Sequence, residues 1–124
     1  MRLGVVEDHA RVRESLVELF EAYGFEVVGS CANGHEAVAF CLDAEPDAIV
    51  MDVRMPVLDG IAATREIKRL RPEIRVILLT AYDENDLRAA AADAGADNFL
   101  AKGTPGIELV EQIRQWDRCP SAHA

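Results

Sequence analysis

The sequence has few cysteines and no long apolar run, and each of these shortages excludes a class of protein. The three cysteines, Cys31, Cys41 and Cys119, show neither a C-x-x-C motif nor the spacing of a metal site. Cys31 and Cys41 are therefore expected to be small buried residues. No apolar run approaches the ~20 residues that a membrane span needs. Acidic Glu7 and Asp8 follow the N-terminus too soon for a secretory signal peptide, so we expect a cytoplasmic protein.

Positive charge is also scarce. Lys and Arg total 13 against 22 Asp and Glu, for a formal net charge of −9, and the only two lysines are Lys68 and Lys102. Binding to nucleic acid phosphates or to an anionic membrane needs clustered Lys and Arg. We therefore expect no direct nucleic acid binding by this chain and no membrane attachment.

The length and composition fit one folded domain. The chain has 124 residues, of which 50% are hydrophobic and 28% charged, which is a normal balance for a globular protein. A chain of this size buries enough surface to be stable without disulfides. We assign residues 1–117 to the domain and expect residues 118–124, which show no pattern, to be a tail or the start of a linker.

Short apolar segments alternate with segments of helical periodicity. The apolar segments predict strands at residues 3–6, 26–29, 48–51, 75–79 and 97–101. Asp83 is the predicted N-cap of the fourth helix, and Thr104 that of the fifth, with Pro105 at its first position. Continuous apolar strands with helices between them indicate a parallel sheet covered on both faces, an open doubly wound α/β fold. Gly4, inside the first strand, indicates close packing at that point.

Polar side chains directly follow four of these strands. Glu7 and Asp8 follow the first, Asp52 the third, Thr80 the fourth and Lys102 the fifth. In doubly wound sheets, ligands bind outside the carboxyl ends of the strands. We therefore expect these side chains to form one site.

The residue types at this edge suggest phosphoryl chemistry with a divalent cation. Three neighbouring carboxylates repel one another, so at least one pKa is expected to rise. Oxygen ligands favour Mg²⁺, Mn²⁺ or Ca²⁺ over zinc. A lysine and a threonine beside such an ion suit the oxygens of a phosphoryl group, and an aspartate can accept that group as an acyl phosphate.

Four segments then resemble a known family. They are Val-Val-Glu-Asp-His at 5–9, Met-Asp-Val-Arg-Met-Pro-Val-Leu-Asp-Gly at 51–60, Leu-Thr-Ala-Tyr at 79–82 and Asn-Phe-Leu-Ala-Lys at 98–102. In order and spacing they resemble the receiver domain of two-component response regulators, over about residues 2–116. The run Asp-Val-Arg-Met-Pro, with Gly after Lys102, is similar to receivers attached to a LuxR-type (NarL-type) DNA-binding domain. The resemblance implies a flavodoxin-like (βα)5 fold with strand order 2-1-3-4-5.

The resemblance also implies roles for the acidic residues. Asp52 matches the phosphoacceptor and a ligand of Mg²⁺, with Mn²⁺ as an alternative. Asp8 matches a direct metal ligand, and Glu7 acts mainly through water. The backbone carbonyl of Arg54 matches the third protein ligand. The side chain of Arg54 is implied to flank the pocket.

Three further residues match family positions that bind the phosphoryl group or respond to it. Thr80 matches the hydroxyl that turns towards it, and Lys102 matches the lysine that pairs with it. Phe99 matches an aromatic residue whose rotamer follows Thr80. The family often has Tyr there, and Phe lacks its hydroxyl, so Phe99 is either such a switch or an ordinary core residue.

By resemblance, the function is signalling rather than enzymatic turnover. A sensor histidine kinase would donate the phosphoryl group, and the changed surface would promote homodimerisation or release a DNA-binding domain. The chain is then either part of a transcription regulator or a free-standing receiver. A phosphorylation-independent interaction module is an alternative, although such a module would need a broken acidic pocket and the pocket residues are all present here. An Asp-nucleophile phosphatase would need a second carboxylate at position 54, where Arg54 stands, and a flavin-binding protein would need a phosphate loop after the first strand.

Overall fold

A computed structural model describes residues 1–81 and 85–118, and these form five strands that alternate with five helices. The strands are β1 (Arg2–Val6), β2 (Glu26–Cys31), β3 (Ala48–Asp52), β4 (Arg75–Thr80) and β5 (Asn98–Ala101). The helices are α1 (Ala10–Ala22), α2 (Gly34–Ala44), α3 (Gly60–Leu70), α4 (Asn85–Ala94) and α5 (Gly106–Arg118). Residues 82–84, which include Tyr82 and the expected N-cap Asp83, lie outside the described part, and so do residues 119–124.

The strands form one parallel sheet in the order β2-β1-β3-β4-β5. This confirms the predicted doubly wound fold and its strand order. The chain winds outward in opposite directions from β1 and β3, so the switch in strand order lies between these two neighbours. The carboxyl ends of β1 and β3 therefore meet at the point where ligands bind in such sheets.

Two hydrophobic clusters fill the space between the sheet and the helices. One face of the sheet packs against α1 and α5, through residues such as Phe20, Val110 and Ile113. The other face packs against α2, α3 and α4, through residues such as Cys41, Ile67 and Ala91. All five residues of β3 are buried, as expected for a central strand covered on both sides. None of the described helices is long and apolar enough to cross a membrane.

The close packing predicted at Gly4 is present. The ring of Phe40, from α2, lies against Gly4 of β1 and Gly29 of β2. A Cβ atom at Gly4 would stand 2.3 Å from Phe40 Cε2, and one at Gly29 would stand 2.5 Å from Phe40 Cε1. The two glycines thus make room for one aromatic ring across adjacent strands.

Every strand and the fifth helix differ from the prediction by one or two residues at an end, so that Asp52 and Thr80 are the last residues of β3 and β4. Strand β2 continues two residues further than expected, to Cys31, because Ser30 and Cys31 still pair with the last two residues of β1. Helix α5 begins at Gly106, so Pro105 precedes the helix instead of occupying its first position. The carbonyl of Pro105 accepts the N–H groups of Glu108 and Leu109, which places the proline at the flank of the first turn.

Candidate functional site

Side chains from three strand ends meet at the carboxyl edge of the sheet. Lys102 Nζ lies 3.0 Å from Asp52 Oδ2 and 3.1 Å from Glu7 Oε2. Glu7, Asp8 and Asp52 each offer a carboxylate oxygen, and these oxygens lie within 4.8 Å of one another. The sequence therefore predicted correctly that these residues come together.

The end of β3 fixes the position of Asp52. Val53 N donates to Leu79 O at 2.9 Å, which continues the pairing with β4 beyond the strand, and Gly60 N donates to Val53 O at 2.7 Å. Helix α3 thus begins directly against the end of β3. Residue 60 has to be glycine for this approach, because a Cβ atom there would stand 2.1 Å from Asp52 O.

The loop between Asp52 and α3 contains a strained turn. Val57 has a φ of 70°, which is costly for a β-branched residue. Leu58 N donates to Pro56 O at 2.8 Å across it, so the three residues form a tight γ-type turn. Leu58 O in turn accepts Gly34 N at 3.1 Å, which ties the loop to the start of α2. Strain of this kind concentrates at functional sites.

Burial governs the protonation of the carboxylates. Glu7 is fully buried and Asp52 is 5% exposed, and burial is the largest cause that raises the pKa of each. For Asp52, hydrogen bonding and charge attraction from Lys102 oppose the rise. The predicted upward shift is therefore present, but loss of hydration contributes more than repulsion between the carboxylates.

Lys102 is the counter-ion of the site. Burial tends to lower its pKa, but hydrogen bonds and charge attraction from Asp52 and Glu7 outweigh that effect, so the pKa is raised. Its backbone N–H donates to Thr80 O at 2.8 Å. Thr80 is 2% exposed at the end of β4, so the predicted threonine and lysine are held next to each other by the backbone.

For Arg54 and Phe99, the other two residues matched to the family, the structure gives the position but does not test the predicted role. Arg54 is exposed, and its backbone N–H hydrogen-bonds to Asp52; the role of its carbonyl stays a prediction. Phe99 is 7% exposed in the core cluster on the α3 side of the sheet. The Arg88 guanidinium lies 5.0 Å from the centroid of its ring. Phe99 is therefore a core residue in this conformation, and its switching stays a prediction.

Sequence reasoning missed two arginines that support the site. Arg88 covers the ring of Phe99 from α4. Arg13 NH1, from α1, donates to Glu7 O at 2.8 Å. Neither position belongs to a motif, and an arginine in a helix usually faces solvent. The weak signal for Arg13 is that it stands within the first turn after the acidic pair.

The donor set suits a divalent cation with oxygen ligands. Three carboxylates and the Lys102 ammonium give the cluster a formal charge of −2. Glu7 Oε2 is buried and accepts no hydrogen bond from the described residues, although Lys102 Nζ lies close to it. Buried charge without full compensation is unfavourable, and a hard cation would supply what is missing. The residues present therefore fit the predicted kind of metal ion.

The two described cysteines are not members of the acidic cluster. Cys31 and Cys41 are buried, as predicted. Burial raises the pKa of Cys31 to about 11 and that of Cys41 to about 12. Both thiols are therefore neutral at physiological pH.

Comparison with known proteins agrees with this geometry. Residues 3–114 match the family of the response regulator receiver domain. The chain is 38% identical over 111 residues to the response regulator UvrY of Escherichia coli (strain K12), covering 89% of this chain and 51% of UvrY. It is 42% identical over 114 residues to the transcriptional regulatory protein PdtaR of Mycobacterium tuberculosis (strain CDC 1551 / Oshkosh), covering 90% of this chain and 54% of PdtaR.

A solved structure supports the finer resemblance. The two-component response regulator of the LuxR family from Aurantimonas sp. SI85-9A1 superimposes with a TM-score of 0.87 at 33% identity, covering 92% of this chain and 82% of that chain. The predicted similarity to LuxR-type receivers is thereby confirmed. The chain spans about half the length of the two curated relatives.

Proposed function

The chain belongs to the family of response regulator receiver domains of two-component systems, and we propose that it accepts a phosphoryl group on Asp52. The observation that carries the proposal is the position of Asp52. It is buried at the end of the central strand β3, with Lys102 Nζ 3.0 Å from Oδ2 and the carboxylates of Glu7 and Asp8 beside it. A receiver interacts with a histidine kinase, and the phosphohistidine of such a kinase is the proposed donor.

In the proposed transfer, a carboxylate oxygen of Asp52 attacks the phosphorus atom. The bond from phosphorus to the imidazole nitrogen breaks, its electron pair stays on that nitrogen, and the nitrogen then takes a proton. Asp52 must be ionised to attack, and the ion pair with Lys102 favours that form. The product is an acyl phosphate on the protein itself, so we propose a phosphoacceptor rather than an enzyme with a released product.

We propose Mg²⁺ as the cation of the acidic cluster, with Mn²⁺ as an alternative. Asp8, Asp52 and the backbone carbonyl of Arg54 would hold it, and Glu7 would act through water. When bound, Mg²⁺ balances the carboxylate charge and favours phosphoryl oxygens as further ligands. Lys102 contacts both Glu7 and Asp52, so its ammonium already lies where it could pair with a phosphoryl group on Asp52.

In the proposed mechanism, the signal is a change in the packing of the domain after the phosphoryl group has been transferred. The phosphoryl group adds a charge of about −1.5 to −2 and new acceptor oxygens. Thr80 and Lys102 would bond these oxygens, and Phe99, which pairs with Leu78 of β4 in the sheet register, would respond to the movement of Thr80. This is a population shift between two packings that is biased by contacts made only with the phosphate.

The names of two relatives support a proposal for the output of the domain. UvrY is a response regulator and PdtaR a transcriptional regulatory protein, so we propose that this receiver controls transcription, through homodimerisation or through a DNA-binding domain. The domain proper would be residues 1–117, with 118–124 as its tail or linker. A cytoplasmic location is part of this proposal, because the proposed donor is a phosphorylated kinase domain.

The test is intact-protein mass spectrometry after incubation with acetyl phosphate or phosphoramidate. The wild type with Mg²⁺ should gain the mass of one phosphoryl group. The wild type with EDTA and the Asp52→Asn variant with Mg²⁺ should gain none. An equal adduct on Asp52→Asn would refute the assignment, and absence of an adduct with both donors would favour an interaction module.

A further inference from the structure

The loop that carries the acidic pair receives a hydrogen bond from an arginine of α1. Strand β1 ends at Val6, and Glu7 N still donates to Cys31 O at 2.9 Å. The carbonyl of Glu7 accepts a hydrogen bond from Arg13 NH1 at 2.8 Å. Arg13 is half-buried in the first turn of α1, so its side chain reaches back over the loop that precedes its own helix.

This contact fixes the orientation of the residue that follows Glu7. The carbonyl of Glu7 and the N–H of Asp8 belong to one planar peptide unit. A hydrogen bond to that carbonyl therefore limits the rotation of the whole unit and restricts where the Cα atom of Asp8, and with it the side chain, can lie. Asp8 is exposed, so it has little packing of its own to hold it, whereas its neighbour Glu7 is buried and is also bound by His9 N at 3.2 Å.

We propose that Arg13 is a positioning residue for the cation site, acting through the Glu7–Asp8 peptide. The proposal rests on the proposed function, because the acidic cluster is taken to hold the cation. Arg13 keeps Asp8 oriented so that its carboxylate joins those of Glu7 and Asp52. It does not itself contact the ion.

If Arg13 acted only through its charge, its removal would change the affinity for the cation in the opposite direction. A positive charge near the cluster disfavours a cation, so removing it would tighten binding. Removing an orienting hydrogen bond would weaken binding, and loss of groups that orient metal ligands typically costs about 10- to 100-fold in affinity. The direction of the change therefore separates positioning from simple charge.

The experiment measures Mg²⁺ binding by calorimetry, together with the midpoint of thermal unfolding in EDTA. Arg13→Met keeps an unbranched apolar stem but loses the charge and the donors, and Arg13→Lys keeps a positive charge and N–H donors. Arg11→Met is the matched control, since Arg11 is an exposed arginine of the same helix. We expect Arg13→Met to raise the Kd for Mg²⁺ about tenfold or more, Arg13→Lys to restore most of the affinity, and Arg11→Met to leave it near the wild-type value.

The outcomes separate this proposal from the proposed function. Unchanged or tighter binding by Arg13→Met would overturn the positioning role while the cation site stands. An equal loss in Arg11→Met would overturn it as well. If Arg13→Met does not fold, the Mg²⁺ affinity of Arg13→Lys decides. A tenfold loss of affinity in Arg13→Lys, with an unchanged unfolding midpoint, would contradict the expected rescue. Failure of the wild type to bind Mg²⁺ would instead refute the proposed function itself.

Discussion

Lys102 Nζ lies 3.0 Å from Asp52 Oδ2, so the lysine at the end of β5 reaches across the end of β4 to the last residue of β3. The same ammonium lies 3.1 Å from Glu7 Oε2 at the end of β1. One side chain thus compensates two buried carboxylates from two strands. Lys102 is 50 residues from Asp52 and 95 from Glu7 along the chain, and the parallel sheet brings these distant positions together at one edge.

Loss of this lysine should destabilise the protein, and a cation should restore part of the loss. Lys102→Met leaves two buried carboxylates without their counter-ion, which in a fully buried pair costs about 3–5 kcal/mol. Because the Lys102 side chain is 29% exposed, we expect a loss of about 1–3 kcal/mol in EDTA. Saturating Mg²⁺ should make the loss smaller. Urea unfolding in the two conditions measures both values.

The other lysine supplies the control for that prediction. Lys68 Nζ lies 2.7 Å from Asp97 Oδ2, and both side chains are less than one-fifth exposed. Lys68→Met should also destabilise the protein, but by the same amount with and without Mg²⁺, because Asp97 is not a member of the acidic cluster. Equal Mg²⁺ rescue of both variants would show that the ion acts elsewhere.

Removing the charge of Asp52 should stabilise the metal-free protein in a pH-dependent way. Burial raises the pKa of Asp52 above its usual 3.8. The stability that its carboxyl group contributes is therefore present below pH 3.8 and is lost as the pH rises through the pKa of the folded protein. The asparagine of Asp52→Asn does not titrate. The difference between the thermal unfolding midpoint of this variant and that of the wild type should therefore grow as the pH rises from about 4 to about 7.

The pH series is measured by thermal unfolding in EDTA. Asp43→Asn, at an exposed position of α2, serves as the control for replacing an aspartate outside the acidic cluster. A relative midpoint of Asp52→Asn that falls as the pH rises would contradict the raised pKa.

Glycine at position 60 should be indispensable for the shape of the site. A Cβ atom there would stand 2.1 Å from Asp52 O, and this neighbour is backbone, which cannot move aside cheaply. Gly60→Ala should therefore cost about 2 kcal/mol or more and should also weaken Mg²⁺ binding. Gly103→Ala, where nothing lies within 4 Å of the new atom, should change neither. Urea unfolding and calorimetry check the pair, and similar stabilities for the two variants would refute the constraint.

The buried thiols should resist alkylation in the folded protein. With a pKa of about 11 for Cys31 and about 12 for Cys41, both caused chiefly by burial, the reactive thiolates are scarce at pH 8. In a Cys119→Ser background, iodoacetamide should label neither cysteine until urea unfolds the chain. Peptide mass spectrometry measures the labelling, and rapid modification of Cys41 without urea would contradict its burial.

The sequence predicted which residues form the site, but not the contacts that hold those residues in position. Glu7, Asp52, Thr80 and Lys102 each follow an apolar run directly, and a parallel sheet brings such positions to one edge whatever the loops do. The contact of Arg13 with the carbonyl of Glu7 could not be predicted, because it depends on how one loop turns. The dominance of burial over charge repulsion in the pKa of Asp52 could not be predicted either, since it depends on packing around the pocket.

The most direct test of the central claim is to locate the phosphoryl group on the chain. After incubation with acetyl phosphate and Mg²⁺, borohydride reduction converts an aspartyl phosphate to homoserine, and peptide sequencing by mass spectrometry then finds that residue. We expect homoserine at position 52 alone, and none in a sample treated without a phosphodonor. Homoserine at Asp8 or Asp59 with position 52 unchanged would contradict it.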